Sequence, residues 1–320
     1  MTECTCKEWY LNDLGTKQDI FASVMVITSL TLDEIGFPKY SSNKSKRTFS
    51  DHCKIGLLIL KEWLSLSYRD LCWMLPSMPG VMAGGDMKRV PDQSTLRKFS
   101  ARVPASVLDK VIGETARLMC GPDVIAAFDS TGYSMSNASR HYVKRMKQMG
   151  AVETSVKDFA KVTLFGDVMS KAIISCGVFT SRTADVNTAI PVIGKAKEAE
   201  VNISEAVADR GFDAEWLHEE GRRILGNGVK IWIPARSQEP KSKQSAARWR
   251  PGGRYRKTMY ETIKNSVYNY RSIIETINSM VKRKTGDTVY GKSMASVEKE
   301  ILFTVIAHNI RLLLLSGWVI

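Results

Sequence analysis

The segment YNYRSIIETINSMVK (residues 268–282) decides the fold that we predict for this chain. Four functional side chains recur in it at spacings of +3, +4 and +7: Tyr268, Arg271, Glu275 and Lys282. At about 100° per residue in an α-helix, these side chains fall on one face, which we call the polar stripe. A neighbouring apolar face predicts packing against a core. It comprises Ile263, Val267, Ile274, Ile277 and Val281.

An ordinary amphipathic helix is the alternative explanation of the polar stripe. In that case Arg271 and Glu275 form an i,i+4 surface pair, which is worth only a few tenths of a kcal/mol. Two aspartates earlier in the sequence favour a functional site instead.

Each of these aspartates follows an apolar run that we predict to be a buried strand. Asp129 follows VIAAF (124–128), and Asp209 follows ISEAVA (203–208). A carboxylate at the end of such a strand projects at the sheet edge, where ligands of α/β sheets usually bind. A turn or helix-cap role is the alternative, with Asp213 as the predicted N-cap of the helix that follows. Either aspartate alone is weak evidence.

Three carboxylates form the candidate catalytic and metal-binding set: Asp129, Asp209 and Glu275. Mg²⁺ takes oxygen ligands and is usually held by one or two carboxylates together with waters and substrate phosphates. Carboxylates that meet without a metal repel one another and raise their own pKa values. The set therefore implies a divalent metal. We expect Mg²⁺, with Mn²⁺ able to substitute.

Taken together, these motifs resemble those of the DDE transposases of bacterial and archaeal insertion sequences. The segments that carry the resemblance are AAFDSTGY (126–133), ADRGFD (208–213) and the Tyr-(2)-Arg-(3)-Glu-(6)-Lys signature of the polar stripe. Two earlier segments match the family's N-terminal helical region, SYRDL (67–71) and VPDQSTL (90–96). The segment TSRTAD (180–185) departs from the family because it lacks a His- and Asn-containing pattern, so we expect no catalytic role there.

The resemblance implies an α/β (α+β) fold with a ribonuclease-H-like catalytic domain, a mixed sheet and a preceding helical domain. We place the helical, DNA-binding domain at residues 1–115 and the catalytic domain at 116–320. The family's topology makes the strands of Asp129 and Asp209 central neighbours. A short link also predicts a hairpin between the second and third strands. The predicted strands are 124–129, 161–168, 171–181, 203–209 and 229–235, and the helices between them are 185–199 and 213–223.

The resemblance also implies an activity, in which the protein cuts DNA at the ends of its own mobile element and joins them to a target. The three carboxylates would hold two metal ions. The residues expected to bind phosphates beside the scissile bond are Tyr268, Arg271 and Lys282. The expected partners are double-stranded DNA and further copies of the chain. A metal-dependent DNA nuclease of the same fold and an inactive DNA-binding regulator are the alternatives.

A basic insertion at residues 236–257 precedes the polar stripe. It contains eight basic residues and one acidic residue, with Trp249 and Tyr255 among them. Basic side chains neutralise phosphates and aromatic rings stack on unpaired bases, so the insertion predicts a DNA clamp. The arginines expected to bind DNA are Arg248, Arg250, Arg254 and Arg256. A solvated loop without a DNA role is the alternative.

Composition agrees with a protein that binds a polyanion. The net charge is +13 and the sequence pI is about 9.4, although ribosomal, membrane-surface and nuclease proteins share this footprint. Six cysteines without a CxxC pair, and only four histidines, give no zinc-ligand spacing. The start of the chain lacks a signal-peptide pattern. We therefore expect free thiols and a location in the cytoplasm, at the nucleoid.

The apolar run at residues 301–320 raises the question of a membrane span. His308, Asn309 and Arg311 interrupt it at its centre. Because a charge at the middle of a bilayer is costly, we predict a buried core helix and no membrane partner.

Overall fold

A mixed sheet forms the centre of the molecule. The computed structural model describes residues 19–41, 46–135, 159–236 and 251–316, and within them six strands form one sheet. The strands are β1 (Val124–Met135), β2 (Phe159–Asp167), β3 (Ile173–Thr180), β4 (Ile203–Ala208), β5 (Lys230–Trp232) and β6 (Thr288–Val289). They lie in the order β3-β2-β1-β4-β5, and β6 pairs with β1. Strands β1 to β3 are antiparallel, whereas β4 and β6 join β1 in parallel and β5 joins β4 in parallel.

Helices precede the sheet in the sequence. They are α1 (Ile20–Glu34), α2 (Asp51–Trp63), α3 (Tyr68–Met74), α4 (Pro79–Gly84), α5 (Gln93–Arg102) and α6 (Ala105–Arg117). Two segments that carry the family resemblance are the starts of α3 and α5. Ser67 accepts a hydrogen bond from the Asp70 amide, and Asp92 accepts one from the Ser94 amide, as N-cap residues do.

The remaining helices come after β3 in the sequence. They are α7 (Asp185–Glu198), α8 (Glu215–Leu225), α9 (Arg254–Thr262), α10 (Arg271–Thr285) and α11 (Met294–Leu315). The predicted hairpin is confirmed, because β2 and β3 pair antiparallel across a short turn. The strand predicted at 203–209 is confirmed as β4, which ends one residue earlier, and the helix predicted to begin at residue 185 is also confirmed. The strand predicted at 229–235 is shorter, since only three of its residues pair with β4.

Hydrophobic clusters cover both faces of the sheet. Along β1, Ala126 and Phe128 belong to the cluster that includes α7 and α8, while Ala127 and Tyr133 belong to the other. That other cluster includes α10, α11 and the helices before the sheet, so these helices share one core with the sheet. Successive strand residues point to opposite faces. Asp129 therefore lies on the same face as Ala127, the face that α10 covers.

The strand β1 does not end at Asp129, so that prediction is wrong. Residues 130–134 continue the strand by pairing with β2. The parallel partner β4 stops earlier, since its last residue, Ala208, pairs with Phe128. The Phe159 ring of β2 packs over Gly132 in this extension, where a Cβ atom would lie 3.0 Å from the ring.

The polar residues at the centre of the last helix are satisfied inside the core. The side chain of Asn309 is fully buried and bonds both the amide and the carbonyl of Ile173. His308 bonds the carbonyl of Lys171. The prediction of a buried core helix is confirmed. None of the described helices has the length and apolarity that crossing a bilayer requires.

Candidate active site

Asp129 and Asp209 lie next to each other across the central strands. Phe128 of β1 pairs with Ala208 of β4, and each aspartate is the next residue in its strand direction. The predicted neighbouring strands are thus confirmed. A 3₁₀ turn, Arg210–Phe212, begins directly after Asp209. Its Phe212 packs edge-on against Phe128 with ring centroids 5.0 Å apart, which fixes the turn on the sheet.

The polar stripe occupies two elements instead of one helix. Tyr268 lies in a 3₁₀ turn, Val267–Tyr270, and α10 begins only at Arg271. Ser266 separates this turn from the preceding segment, since its hydroxyl accepts a hydrogen bond from the Tyr268 amide. The prediction that one helix carries all four residues is therefore wrong for Tyr268. The predicted apolar face is confirmed for Ile274, Ile277 and Val281, which are buried.

Arg271 and Glu275 form an ion pair on the surface of α10. The distance from Arg271 Nη1 to Glu275 Oε1 is 2.7 Å, and the side chains are 27% and 54% exposed. Burial opposes the charge of Arg271, but the bond to Glu275 raises the pKa of the guanidinium above its ordinary value. The surface pair that the sequence left as an alternative is present, yet it stands within reach of the aspartates. Its carboxylate is one of the charges that Asp129 experiences.

The carboxyl group of Asp129 has a strongly perturbed pKa. The pKa is raised from 3.8 to about 6, mainly by burial and in smaller part by the charges of Asp209 and Glu275, against the opposing effects of the Ser130 amide and Arg271. Asp129 therefore experiences the charges of both other carboxylates. Perturbed carboxyl groups of this kind cluster at functional sites.

Lys282 is bound to β1 beyond Asp129. Its ammonium group donates hydrogen bonds to the Thr131 hydroxyl at 2.6 Å and the Gly132 carbonyl at 2.8 Å. It also lies 4.9 Å from the centre of the Tyr133 ring. Partial burial lowers the pKa of Lys282. These contacts hold the end of α10 alongside β1.

The donor set suits a hard divalent ion. Within the described ranges, no three His, Cys, Asp or Glu side chains are already assembled around one point. The three candidate carboxylates nevertheless offer only oxygen donors, which Mg²⁺ and Mn²⁺ prefer. A cation beside Asp129 would also relieve the carboxylate repulsion that raises its pKa. The chemistry of these residues fits a divalent metal.

Arginines predicted to bind DNA have different surroundings. Arg248 and Arg250 lie outside the described residues. Arg254 is exposed at the first position of α9. Arg256 donates two hydrogen bonds to Asp213, at 2.8 Å from Nε and 2.7 Å from Nη2. A structural contact thus engages the guanidinium of Arg256.

Asp213 joins the two ends of the basic insertion. Besides Arg256, it accepts a hydrogen bond of 2.6 Å from the backbone amide of Arg236, and its side chain is fully buried. The prediction that Asp213 is the N-cap of α8 is therefore wrong. The N-cap is Ala214, which makes no side-chain cap. The carboxylate is instead drawn to the guanidinium, since charge-assisted bonds are the stronger ones.

The far end of the insertion is anchored on α8 by a second acid. Glu215 accepts hydrogen bonds from the backbone amides of Tyr255 and Arg256, at 2.9 and 3.1 Å. These amides belong to the first turn of α9, so Glu215 caps a helix other than its own. Gly253 precedes them with a φ of +87°, and a Cβ atom there would lie 2.2 Å from Glu215 Oε2. Only glycine allows this approach.

Asn278 is a residue of the stripe's helix that the sequence motif does not include. It follows Glu275 by three positions and precedes Lys282 by four, which places it on the same side of α10. Its side chain is 8% exposed, and its Oδ1 atom has no hydrogen-bond partner among the described residues. The signal in the sequence was this spacing within the six-residue gap of the signature.

A family comparison identifies the class of protein. The model of the transposase DDE domain matches residues 121–310, more than half of the chain. The chain belongs to the DDE transposase family. The matched segment contains Asp129, Asp209 and all of α10. This DDE transposase is a DNA transposase, an enzyme that transfers polynucleotide strands.

Two solved transposase structures are also similar to this DDE transposase. A cryo-EM structure of the piggyBac transposase synaptic complex with hairpin DNA is 14% identical, covers 98% of this chain and 78% of its own, and has a TM-score of 0.41. The Drosophila P element transposase strand transfer complex is 11% identical, covers 72% and 48%, and has a TM-score of 0.33. No curated protein sequence matches the chain. Because both TM-scores are below 0.5, the assignment of this chain to the DDE transposase family rests on the family match alone.

Proposed function

We propose that this transposase cleaves the ends of its own insertion sequence and joins them to target DNA, with Asp129, Asp209 and Glu275 as the metal ligands. The observation that carries the proposal is the pairing of Phe128 with Ala208, which puts Asp129 and Asp209 side by side. The charge of Glu275 adds to the raised pKa of Asp129. The strand order β3-β2-β1-β4-β5 supports a ribonuclease-H-like catalytic fold.

The proposed metal is Mg²⁺, with Mn²⁺ as a substitute. When bound, a pair of such ions activates a water or a 3′-hydroxyl and stabilises the leaving oxygen. The protein's part is to hold its three carboxylates in place and to neutralise phosphate charge. Glu275 is paired with Arg271, and it would be free to hold the metal if Arg271 bound a DNA phosphate instead.

The proposed substrate is double-stranded DNA, bound by an oligomer of this chain at the nucleoid. Tyr268, Arg271 and Lys282 would bind phosphates beside the scissile bond, because Arg271 and Lys282 lie on the same side of α10 as Glu275 and Tyr268 lies in the 3₁₀ turn directly before α10. A guanidinium suits bidentate contact and an ammonium acts as a point charge. Arg254, which is exposed, would extend this surface together with Arg248 and Arg250. The net charge of +13 supports a polyanionic partner.

Three single substitutions test the metal ligands: Asp129→Asn, Asp209→Asn and Glu275→Gln. We expect each to abolish cleavage in Mg²⁺ or Mn²⁺ while DNA affinity is largely kept, because most affinity comes from basic residues. The matched control is Glu261→Gln, which neutralises an exposed carboxylate on α9 and should cut normally. Cleavage assays and gel shifts are run on the same proteins. If one of the three variants cuts like the wild type, the residue that it replaces is not a metal ligand.

Joining assays separate this activity from related ones. Wild-type protein should give strand-transfer products with DNA that carries the ends of its element. A nuclease of the same fold would give nicks alone, and a DNA-binding regulator would give neither product. Nicking without joining would therefore contradict the proposed reaction.

A further inference from the structure

Asn278 is a buried residue of α10 that lies between Glu275 and Lys282 along the helix. In an α-helix with 1.5 Å rise per residue, Asn278 lies about 4.5 Å beyond Glu275 and about 6 Å before Lys282. The charge of Glu275 reaches Asp129, and Lys282 is bonded to Thr131. The position of Asn278 along α10 is therefore between these two contacts, opposite the segment of β1 that begins at Asp129.

The amide of Asn278 is a polar group on the otherwise apolar buried face of α10. Its neighbours on the buried face of α10, Ile274, Ile277 and Val281, are apolar and belong to the core cluster. Asn278 is 92% buried, yet no group within the described residues bonds its Oδ1 atom. Buried polar atoms are nearly always hydrogen-bonded, and an unbonded one points to a functional role, an ion or a water. An apolar residue of similar size would pack here without that cost.

The chemistry of the proposed metal provides a donor for this acceptor. Mg²⁺ gives up its waters reluctantly and usually keeps several of them when carboxylates bind it. These waters donate strong hydrogen bonds, and the three carboxylates are engaged as ligands. A neutral amide oxygen accepts such a bond without adding a further negative charge to a site where the pKa of Asp129 is already raised.

We propose that Oδ1 of Asn278 accepts a hydrogen bond from a water on the metal that Asp129 and Glu275 hold, and that Asn278 is thereby a positioning residue for the reaction. This inference rests on the proposed metal site. Partners of this kind, one bond removed from the ion, orient its ligands and tune its affinity.

The test compares the substitutions Asn278→Leu and Asn278→Asp. Leucine fills the space without an oxygen, so the metal-free protein should melt at the same or a higher temperature, while the Kd for Mn²⁺ rises about 10- to 100-fold. Aspartate keeps an acceptor oxygen, so Mn²⁺ binding should be retained while the metal-free protein melts at a lower temperature. Melting temperature without metal and the calorimetric Kd for Mn²⁺ are measured on both variants. If the role of Asn278 were purely structural, the melting temperature and the affinity for Mn²⁺ would change together. The change would then have the same direction in both variants.

A matched control comes from α1. The hydroxyl of Thr28 is the other side-chain oxygen that is buried and unbonded in the described part of the chain. Thr28→Val should therefore preserve or raise the melting temperature and leave the Kd for Mn²⁺ unchanged. Wild-type Mn²⁺ affinity in Asn278→Leu would overturn the role of Asn278.

The proposed metal site itself is tested separately with Asp129→Asn. If that variant binds Mn²⁺ like the wild type, the ligand assignment fails and the role of Asn278 fails with it. If Asp129→Asn loses Mn²⁺ binding and Asn278→Leu does not, only the role of Asn278 is overturned.

Discussion

The ammonium group of Lys282 is bonded to the hydroxyl of Thr131 at a distance of 2.6 Å. Thr131 follows Asp129 by two residues on the same face of β1, so this bond connects the end of the polar stripe to the strand of the first carboxylate. A DNA phosphate that binds Lys282 must share the ammonium group with β1. Since an ammonium group has three donors, one remains beyond the two that Thr131 and Gly132 use.

Lys282→Ala should reduce strand transfer far more than it reduces stability. Exposed or half-exposed polar contacts are worth less than about 1 kcal/mol, whereas misplacing a reacting phosphate costs on the order of 100-fold in rate. Melting temperature and strand-transfer yield are measured on the same preparation. Arg283→Ala, an exposed neighbour, controls for the loss of one charge. Equal losses in both variants would show that charge alone matters.

Arg271→Lys should also damage strand transfer, although it keeps the positive charge. A lysine cannot reproduce the planar fork that bonds two oxygens at once. The folded protein should tolerate the change, because the pair with Glu275 lies on the surface. Normal melting together with normal joining in this variant and in Lys282→Ala would make the polar stripe a surface feature only.

The carboxyl group of Asp129 predicts how stability without metal depends on pH. Burial is the main cause that raises its pKa from 3.8 to about 6 on folding. The folded protein then holds the proton more tightly than the unfolded chain, so stability falls as the pH rises from about 4 to about 6. Asp129→Asn removes this dependence and should be the more stable protein at pH 7. Urea unfolding of both proteins from pH 4 to 7 measures the difference, and parallel curves would contradict it.

The same pKa predicts the pH dependence of metal binding. A metal ligand must lose its proton, so the affinity of the wild type for Mn²⁺ should weaken as the pH falls below about 6. Calorimetric titrations at several pH values measure this trend. A Kd that stays constant between pH 5 and 7 would argue against Asp129 as a ligand.

Sequence patterns predicted the order of the elements and the strands of both aspartates, because apolar runs and helical spacing depend on neighbouring residues. They did not predict that β1 continues past Asp129. Residues 130–134 have turn-like composition and become a strand only because β2 pairs with them. Pairing between segments distant in sequence is invisible to a local pattern.

The candidate site was predictable where its residues form a motif. The roles of Asp213 and Asn278 were not, because each depends on what surrounds the side chain in three dimensions. Asp213 has the sequence position of a helix cap, but Arg256 reaches it from the other side of the basic insertion. Asn278 fits the polar stripe by spacing, and only its burial distinguishes it from a surface amide.

Substitution of the arginines tests whether the basic insertion binds DNA. Changing Arg248, Arg250 and Arg254 to Ala should weaken DNA binding and reduce the slope of log K against log[salt] by roughly 0.9 for each lost phosphate contact. The matched control is Arg223→Ala, whose guanidinium is exposed on α8 and pairs with Glu220. Binding isotherms over a range of salt concentrations measure the slope. An unchanged slope would mean that the insertion is a solvated loop.

Asp213→Ala should destabilise the protein because it leaves Arg256 and the Arg236 amide without their acceptor. Hydrogen bonds to a charged group contribute about 2 kcal/mol, so the loss should be visible in urea unfolding. Glu220→Ala removes an exposed ion pair on α8 and should change the stability little. If both variants unfold alike, the buried contact of Asp213 does not stabilise the fold.

Because Asp213 binds the Arg236 amide and the Arg256 guanidinium together, both ends of the segment between these arginines are held at a single point of the described fold. Lengthening a loop whose ends are already fixed costs little free energy, since the closure entropy grows only slowly with length. We therefore expect the segment between these arginines to be exchangeable. We expect that a foreign domain grafted in its place would not displace the carboxylates.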